Sequence, residues 1–401
     1  MQKLRIGIDY TSAVRQQAGI GRYTRELVTA LLRLDRFHNY TVFAATGGLD
    51  QDRWTGEINR LHGIGDRQLT VRHLPLSDDW LARIWHRLRL PLPVELATGR
   101  LDLLYSPDFT LPPTWPGTRT LLTIHDLSFV RHPDAFVPAL RRYLERVVPR
   151  SVERADVVLA DSAHTRADLV SLFGISPDRV EVIFPGVDAR FQPTPSSAAP
   201  PVGGAEHPGS EGTERLRKRY GIGERPYVLS VGTLQPRKNY VRLIHAFAKS
   251  KASQRRDMQL LIAGGRGWLF QDIVEEAEKY DGVRLLDFVD DEDLPALYRG
   301  ATLFAFPSLY EGFGLPVLEA MACGVPVICS GTSSLPEVAG EAALLVDPFD
   351  VNELSKALDR VMEDDEQRQR MIERGLTRAA RFTWERSARQ LFDVMTSWED
   401  L

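Results

Sequence analysis

The first half of the chain alternates short apolar runs with amphipathic stretches of helical period, a rhythm that predicts a βαβ domain. Leu4 to Ile8, Tyr40 to Phe43, Leu101 to Tyr105, Thr120 to Ile124, Val157 to Ala160 and Val180 to Ile183 read as strands. Between them, Leu27, Leu31 and Leu34 recur at helical spacing in Tyr23 to Leu34, and Pro138 to Arg154 reads as a second helix. The rhythm stops after Phe191. From Pro193 to Gly212 the chain runs PTPSSAAPPVGGAEHPGSEG, which cannot bury a core and reads as a linker or surface excursion, with a basic helix from Thr213 to Tyr220 behind it. Alternation then resumes with strands at Tyr227 to Val231, Gln259 to Ala263, Val283 to Leu286, Leu303 to Phe306, Val325 to Ile328 and Ala343 to Val346. Val241 to Ala248 and Leu294 to Tyr298 supply helices among them, and a last pattern, Trp384 to Trp398, gathers Ala388, Leu391, Phe392 and Met395 on one face. The expected division is a first domain over 1–185, a linker over 186–221 and a second domain over 222–384. The closing segment 385–401 either caps the second domain or packs back on the first. Alternation of this kind implies an α/β protein with two doubly wound parallel sheets, whose ligands sit at strand carboxyl ends, and two such domains are expected to face a cleft.

Composition narrows the class. With 401 residues, 43% hydrophobic and 26% charged, the sequence is that of an ordinary globular protein of two or three domains. MQKLRIGIDY has no long apolar core and no cleavage signal, and no run approaches the length of a membrane helix, so a cytoplasmic protein is expected. Cys323 and Cys329 are the only cysteines and sit among small or β-branched neighbours, as reduced core residues rather than metal ligands. A net charge of −4 argues against nucleic acid. Residues 1–185 carry 24 Lys+Arg against 21 Asp+Glu and the remainder 26 against 33, a small excess that reads as a face for an anionic acceptor or a membrane surface and equally as solvated arginines.

The candidate chemistry lies at predicted strand ends. PSLYEGFGLPVLEAMACGVPV, from Pro307 to Val327, places Glu311 at the end of a loop, Gly312 and Gly314 around Phe313, and Glu319 one turn into a helix that Pro316 can start. The glycines let the backbone approach a ligand and the helix start attracts phosphate, so the carboxylates more plausibly grip sugar hydroxyls; the segment reads as a sugar-phosphate site. GTLQPRKN, from Gly232 to Asn239, brings Arg237 and Lys238 to another strand end, a planar fork and a point charge suited to a departing diphosphate. AGIGRY puts Gly19 and Gly21 between the first strand and helix, as a tight turn near phosphate or acceptor or as a plain βα turn; Thr24 stands where a dinucleotide fingerprint needs its third glycine. IHDLSFVRHP places His125 and Asp126 after a strand, where the histidine is able to reach a sugar hydroxyl through its ring or its backbone. His132 reads as a loop residue.

Other segments read more plainly. AGGRGW, from Ala263 to Trp268, is another glycine-rich strand end. In FVDDEDL, Asp291, Glu292 and Asp293 read as the cap and first turn of a helix, with Asp291 the expected cap, rather than as metal ligands. DWLARIWHRLRLPLP, from Asp79 to Pro93, lays Trp80, Leu81, Ile84, Trp85 and Leu88 against Arg83, Arg87 and Arg89. Such a stripe can lie on an anionic membrane; docking on its own domain is the expectation.

Together these segments resemble the retaining, nucleotide-sugar-dependent glycosyltransferases of family 4, the glycosyl transferases group 1, with the GT-B fold. The resemblance spans nearly the whole chain. It runs through GIGRY, IHDLSFVRHP, Asp161–Ser162, FPGVD, GTLQPRKN, LIAGG, ALYRGATLFAFPSLYEGFGLPVLEAMACGVPV, SSLPEVAGEAALLVDP and FTWE, and the pair Glu311 and Glu319 looks like the family's E-x7-E signature. It implies that Glu311 faces the donor sugar, that amides of Phe313, Gly314 and Leu315 with Gly312 meet hydroxyls and phosphate, and that Glu319 holds the ribose. Arg237 and Lys238 would neutralise the diphosphate in place of a metal, with no cofactor; Gly232 and Gly264 would line the donor site, and Val289 lies where relatives contact the base. His125 and the Gly19–Gly21 turn would complete the site from the first domain, on which the last helix would pack. Many relatives carry Arg where this chain has Thr233, which leaves that duty to Arg237. The implied activity is transfer of a hexose with retention, most resembling mannosyltransferases and hence GDP-mannose, with a UDP-glucose donor or a non-catalytic sugar binder as alternatives. Partners would be a nucleotide diphosphate sugar and a glycan, lipid-linked or small-molecule acceptor, with peripheral contact at the inner face of the membrane and no nucleic acid.

Overall fold

In a computed structural model the structure describes residues 2–16, 19–65, 68–193 and 211–397. The expected linker falls largely outside the described residues, as do Ala18 of the first glycine turn and Trp398 of the last helical pattern.

Thirteen strands form two sheets among the described residues. The first contains β1 (Arg5–Asp9), β2 (Asn39–Ala45), β3 (Leu69–Leu74), β4 (Leu103–Ser106), β5 (Arg119–Ile124), β6 (Val157–Ala160) and β7 (Val180–Val182). Its order is β3-β2-β1-β4-β5-β6-β7, and every pairing is parallel. The second contains β8 (Tyr227–Val231), β9 (Gln259–Ala263), β10 (Val283–Asp287), β11 (Leu303–Phe306), β12 (Val327–Ser330) and β13 (Ala343–Val346). Its order is β10-β9-β8-β11-β12-β13, again all parallel. In both the order reverses beside the first strand, the doubly wound arrangement of a Rossmann-like domain. Two parallel-sheet, Rossmann-like domains are therefore present, as expected.

Central strands such as Leu103–Ser106, Tyr227–Val231 and Leu303–Phe306 are buried from end to end, because helices cover both faces of a parallel sheet. The edge strand Leu69–Leu74 was not foreseen: Thr70, Arg72 and His73 are exposed on it, so it lacks the apolar run that marks its neighbours. One strand begins two residues later than expected, at Val327, because Pro326 has no N–H to give the ladder; its carbonyl only accepts from Phe304.

The chain divides into two compact units, Met1–Leu127 with Arg142–Gly186 and Thr383–Leu401, and Ser128–Arg141 with Val187–Phe382. The last helix, Trp384–Thr396, belongs to the first unit, where Trp384, Ala388, Leu391 and Met395 share a core with Leu27 and Leu31 of the helix Ile20–Leu34. Ser128–Arg141 belongs to the second unit although the sequence boundary at 185 assigns it to the first. The reason is local: the Trp268 indole N–H donates to the Ala135 carbonyl at 2.5 Å, Phe136 lies against the same indole, and His132 packs on Tyr310.

The Asp79–Pro93 stripe docks on its own domain only in part, with Leu81 buried and Ile84 and Trp85 half-buried. A short helix, Asp78–Leu81, runs into a wider π-turn, Ala82–Arg87, in which the Leu88 N–H bonds the Arg83 carbonyl five residues back. That winding, and Pro91 and Pro93 after it, break the apolar register, so Leu81 is buried while Trp80 and Leu88 are exposed. Among the described residues no helix is long and apolar enough to cross a membrane.

Close packing at the ends of β8 and β9 demands glycine at 264, where a Cβ would lie 2.0 Å from the Gly232 carbonyl oxygen. Backbone on both sides leaves no side chain to yield, so Gly264→Ala is expected to lower stability by about 2 kcal/mol or more in urea unfolding.

Candidate functional site

In the second unit β8 and β11 are neighbours, so the loops leaving their carboxyl ends meet although their residues are 73 and 74 apart in sequence. After β8 a single 3-10 turn, Pro236–Lys238, ends at Asn239 with φ 62°. The Asn239 amide donates to the carbonyls of Pro307 at 3.0 Å and Pro348 at 2.7 Å, and the Leu309 N–H bonds the Arg237 carbonyl at 2.9 Å, which ties the turn to the exit of β11. Glu311 is thereby set between two cations. Arg237 Nη1 donates to Oε2 at 2.8 Å and Lys238 Nζ to Oε1 at 2.6 Å, and each side chain is about nine-tenths buried. Arg237 also donates to the Tyr310 carbonyl at 2.5 Å, and Lys238 lies 4.8 Å from the Phe306 ring centre.

Burial pushes the Glu311 carboxyl up, but the charges of Arg237 and Lys238 outweigh it and bring it down to about 2. Glu311 is thus a fixed anion with almost no basicity. The cations are held in place by it, at a strand end, before any other anion arrives.

The segment that follows turns on Gly314, whose φ of 112° suits only glycine, and which caps the helix Leu315–Ala322 with Pro316 in its first turn. Ser333 Oγ accepts the Glu311 N–H at 2.9 Å, and Ser334 Oγ donates to the carbonyls of Glu311 at 2.9 Å and Phe313 at 2.8 Å. The amides of Phe313, Gly314 and Leu315 stand at the start of this helix, where N–H groups have no acceptor within the helix and suit an anion. Glu319 lies within it, 2% exposed, accepting from the Tyr298 hydroxyl at 2.9 Å. Gly312 and Phe313 are buried, the latter against Phe382. Gly232 donates to the Ala263 carbonyl and accepts from Tyr240, while Gly264 donates to the Asp287 carbonyl, which laces the ends of β8, β9 and β10 together. Val289, after β10, is buried.

Asp291 does not cap the helix Leu294–Arg299. Asp293 holds that position, and its carboxylate accepts from Arg219 at 2.7 Å and from the Tyr220 hydroxyl at 2.8 Å instead of capping. Asp290 also pairs with Arg219, and Asp291 lies 3.7 Å from Arg190. Cationic side chains therefore answer these acids, and among the described residues no three or more His, Cys, Asp or Glu side chains gather as a metal site.

The first unit has a polar centre of its own. β5 and β6 are paired, Ile124 opposite Ala160, so the residues just beyond them, His125 and Asp161, face each other. His125 Nδ1 lies 2.7 Å from Asp161 Oδ2, and Nε2 lies 2.8 Å from the Pro107 carbonyl. A carbonyl only accepts, so Nε2 carries a proton, and an ionised carboxylate requires a second on Nδ1. Burial alone would lower the histidine, but the charge and hydrogen bond of Asp161, with Asp108 and Pro107, raise it to about 9. Both ring nitrogens are therefore engaged, with Tyr23 and Phe109 against the ring. Gly19, with φ 57°, precedes the helix Ile20–Leu34; Gly21 lies inside that helix, where a Cβ would meet the Gln16 carbonyl at 2.0 Å. Gly21 is thus required for packing on the preceding turn, not for bending the chain.

Sequence reasoning found Arg237, Lys238 and Glu311, which the structure brings into contact. It gave no role to Asn239, Ser333, Ser334 or Asp161, which position them or His125. Asn239 had one available signal, an asparagine directly after a Pro-Arg-Lys turn, where a left-handed residue is common.

The profile described as "Glycosyltransferase Family 4" matches residues 18–191, and that described as "Glycosyl transferases group 1" matches 212–378. The chain is 32% identical over 391 residues to the O-antigen chain mannosyltransferase B of Escherichia coli, covering 94% of this chain and 95% of that protein. It is 30% identical over 286 residues to the serotype-specific mannosyltransferase WbdA of Escherichia coli, covering 69% of this chain but only 33% of WbdA. Among solved structures, HepE from Anabaena in complex with UDP and glucose superposes with a TM-score of 0.69 at 18% identity, over 98% of this chain and all of that one.

The His125 and Glu311 centres leave opposite marks on pH dependence. A raised histidine contributes stability that is complete below its ordinary 6.5 and lost as pH climbs through about 9. Relative to His125→Gln, the native protein should lose on the order of 3 kcal/mol between those pH values in denaturant titrations. Glu311, held low, contributes above its ordinary 4.5, and that contribution disappears as pH falls toward about 2. In acid unfolding Glu311→Gln should flatten that limb of the curve.

Proposed function

The chain belongs to the family 4, group 1 glycosyltransferases, and from that membership we propose that it is a retaining mannosyltransferase that moves mannose from GDP-mannose to an acceptor hydroxyl. Hexosyl transfer follows from the family; the sugar, the base and the stereochemistry are the proposal. The mannosyl donor is supported by the two Escherichia coli relatives, both named as mannosyltransferases. A nucleotide diphosphate sugar is supported by HepE, solved with UDP and glucose.

The observation that carries the mechanism is the buried pairing of Glu311 with both Arg237 and Lys238. A carboxyl at about 2 cannot take a proton from an acceptor near neutrality. The proton of the attacking hydroxyl therefore goes to the departing diphosphate. As the bond from the anomeric carbon to the β-phosphate oxygen breaks, the acceptor oxygen bonds that carbon on the same face, and its proton passes to the phosphate oxygen. Arg237 and Lys238 then stabilise the charge that grows on the diphosphate, which is where a fixed cation contributes most. In this reading Glu311 meets the sugar hydroxyls, the amides of Phe313 to Leu315 meet hydroxyls and phosphate, Glu319 holds the ribose and Val289 lies beside the base. Gly232 and Gly264 shape the floor. His125, its ring nitrogens occupied, contributes its positive charge or its backbone rather than proton transfer, and Gly19 and Gly21 fix the helix beside it. The acceptor is a glycan or a lipid-linked chain. Six exposed apolar side chains between Leu76 and Leu96 support peripheral contact with a membrane.

Incubation with GDP-mannose, UDP-glucose and UDP-N-acetylglucosamine should release nucleotide fastest from GDP-mannose. Faster release from UDP-glucose would reassign the donor, and no turnover of any donor, with or without acceptor extracts, would leave a binding protein. Lys238→Ala and Glu311→Ala should each lower turnover by roughly a hundredfold or more. Near-native rates in either variant would remove that residue from the mechanism. Turnover should persist in EDTA, since cations already answer the acids of the Asp290–Asp293 turn.

A further inference from the structure

We propose that the first unit docks on an anionic bilayer through the segment Leu76–Leu96, which gives a surface and a lipid chemistry to the peripheral contact inferred above. Of the twelve large hydrophobic side chains exposed among the described residues, six lie here: Leu76, Trp80, Leu88, Leu90, Leu92 and Leu96, with Leu88 66% and Leu96 68% exposed. Solvent-facing leucines at that density, in one segment of a protein whose other exposed apolar residues are scattered, mark a contact surface.

The backbone is built to present them. Beyond the π-turn the chain folds back on itself, with the Leu90 N–H bonded to the Ile84 carbonyl at 3.0 Å and the Trp85 indole N–H bonded to the Leu92 carbonyl at 2.9 Å. Arg89 takes a left-handed φ of 54°, costly for a residue with a side chain, and the fold-back holds it there. The outcome is a braced loop whose leucines point away from the core.

Charge identifies what covers them. From Trp80 to Val94 the sequence contains Arg83, Arg87 and Arg89 and neither Asp nor Glu. At its two ends, Asp78 pairs with Arg15 at 3.0 Å and the buried Glu95 accepts from the Trp115 N–H and the Thr118 hydroxyl, while Asp79 is exposed beside Trp80. The Arg83 guanidinium lies over the Trp80 ring and that of Arg87 over the Tyr143 ring, which holds both charges on aromatic faces beside the exposed leucines. Behind the loop is a cavity of about 280 Å³ walled by Trp85, Leu90, Pro91 and Val147, with Arg89 and Arg150 among its lining. Neither arginine has an ion-pair partner among the described residues. His86, also on the wall, is lowered to about 4 by burial and by Arg154 and stays neutral. Leucines beside unpaired arginines match a layer with acyl chains below and phosphates above, whereas a protein partner would need acids placed to fit.

The test is sedimentation of the full chain with vesicles of phosphatidylcholine alone or mixed with phosphatidylglycerol. Binding to the anionic vesicles, weakening as salt is raised and much weaker to the neutral ones, is the expected result. Replacing Arg83, Arg87 and Arg89 together by Gln should weaken it on the order of a hundredfold, at about fivefold per arginine, and Leu88, Leu90 and Leu92 together by Ser should abolish it. Nucleotide release from GDP-mannose in vesicle-free solution should be unchanged in both triple variants, which shows that they are folded. Absence of binding to anionic vesicles, equal binding to neutral ones, or native binding by both variants would overturn the inference. So would a self-associated species that the leucine variant alone dissolves without any vesicle binding. Failure of donor turnover with vesicle binding intact would instead remove the mannosyltransferase reading and leave the docking surface standing.

Discussion

A carboxylate flanked by two cations in a nearly dry environment is the constraint around which the second unit is arranged. Removing three charges from water is costly, and the cost is offset only when each charge meets its partner at hydrogen-bond distance. Glu311 meets this condition with one oxygen on Arg237 and the other on Lys238. The surroundings serve that geometry: Asn239 pins the turn carrying the cations, and Ser333 and Ser334 pin the loop carrying the anion. None of these four contacts is local in sequence. The Asn239–Pro307 contact exists because β8 and β11 lie side by side, a consequence of the reversal in strand order, and the serines reach Glu311 from just beyond β12, the other neighbour of β11. A fold whose strand order changes direction at this place delivers two unrelated loops to one point, and the three charges meet there.

The first unit repeats the device with different groups. His125 and Asp161 leave the ends of adjacent strands and pair in the interior, and the Pro107 carbonyl beyond β4 completes the set. One unit thus buries a low carboxylate beneath two cations, the other a high imidazolium against one carboxylate. Each pair is preorganised, since its members are already charged and fixed. Neither Glu311, held low, nor His125, held high, is poised to pass a proton near neutrality, which is why the proposed transfer draws on electrostatic stabilisation.

Much of this architecture was legible because parallel strands buried on both faces are continuous apolar runs. Tyr227–Val231, Gln259–Ala263 and Leu303–Phe306 carry that signature and were located to the residue. Leu69–Leu74 does not, because an edge strand tolerates Arg72 and His73. The helix Asp365–Ala379 escaped for a related reason: it buries only Arg368, Met371, Gly375 and Ala379, too thin a stripe to stand out among charges. At the site, Glu311, Arg237 and Lys238 were visible as chemistry in glycine- and proline-rich turns. The partner of His125 was not, since the pairing spans 36 residues and depends on strand order. Leu88 was misjudged because helical periodicity presumes a regular helix, and the π-turn removes that premise.

The membership of the last helix also bears on the order in which the molecule is made. Trp384, Ala388, Leu391 and Met395 sit in the same core as Leu27 and Leu31, so the unit that contains the N-terminus lacks part of its interior until the final helix has left the ribosome. The second unit, complete by Phe382, has all of its residues available sooner. Domains generally fold in the order of their synthesis. Here the unit that is begun first is closed last, and until then the face of Ile20–Leu34 that receives Trp384–Thr396 is an open apolar surface on the nascent chain.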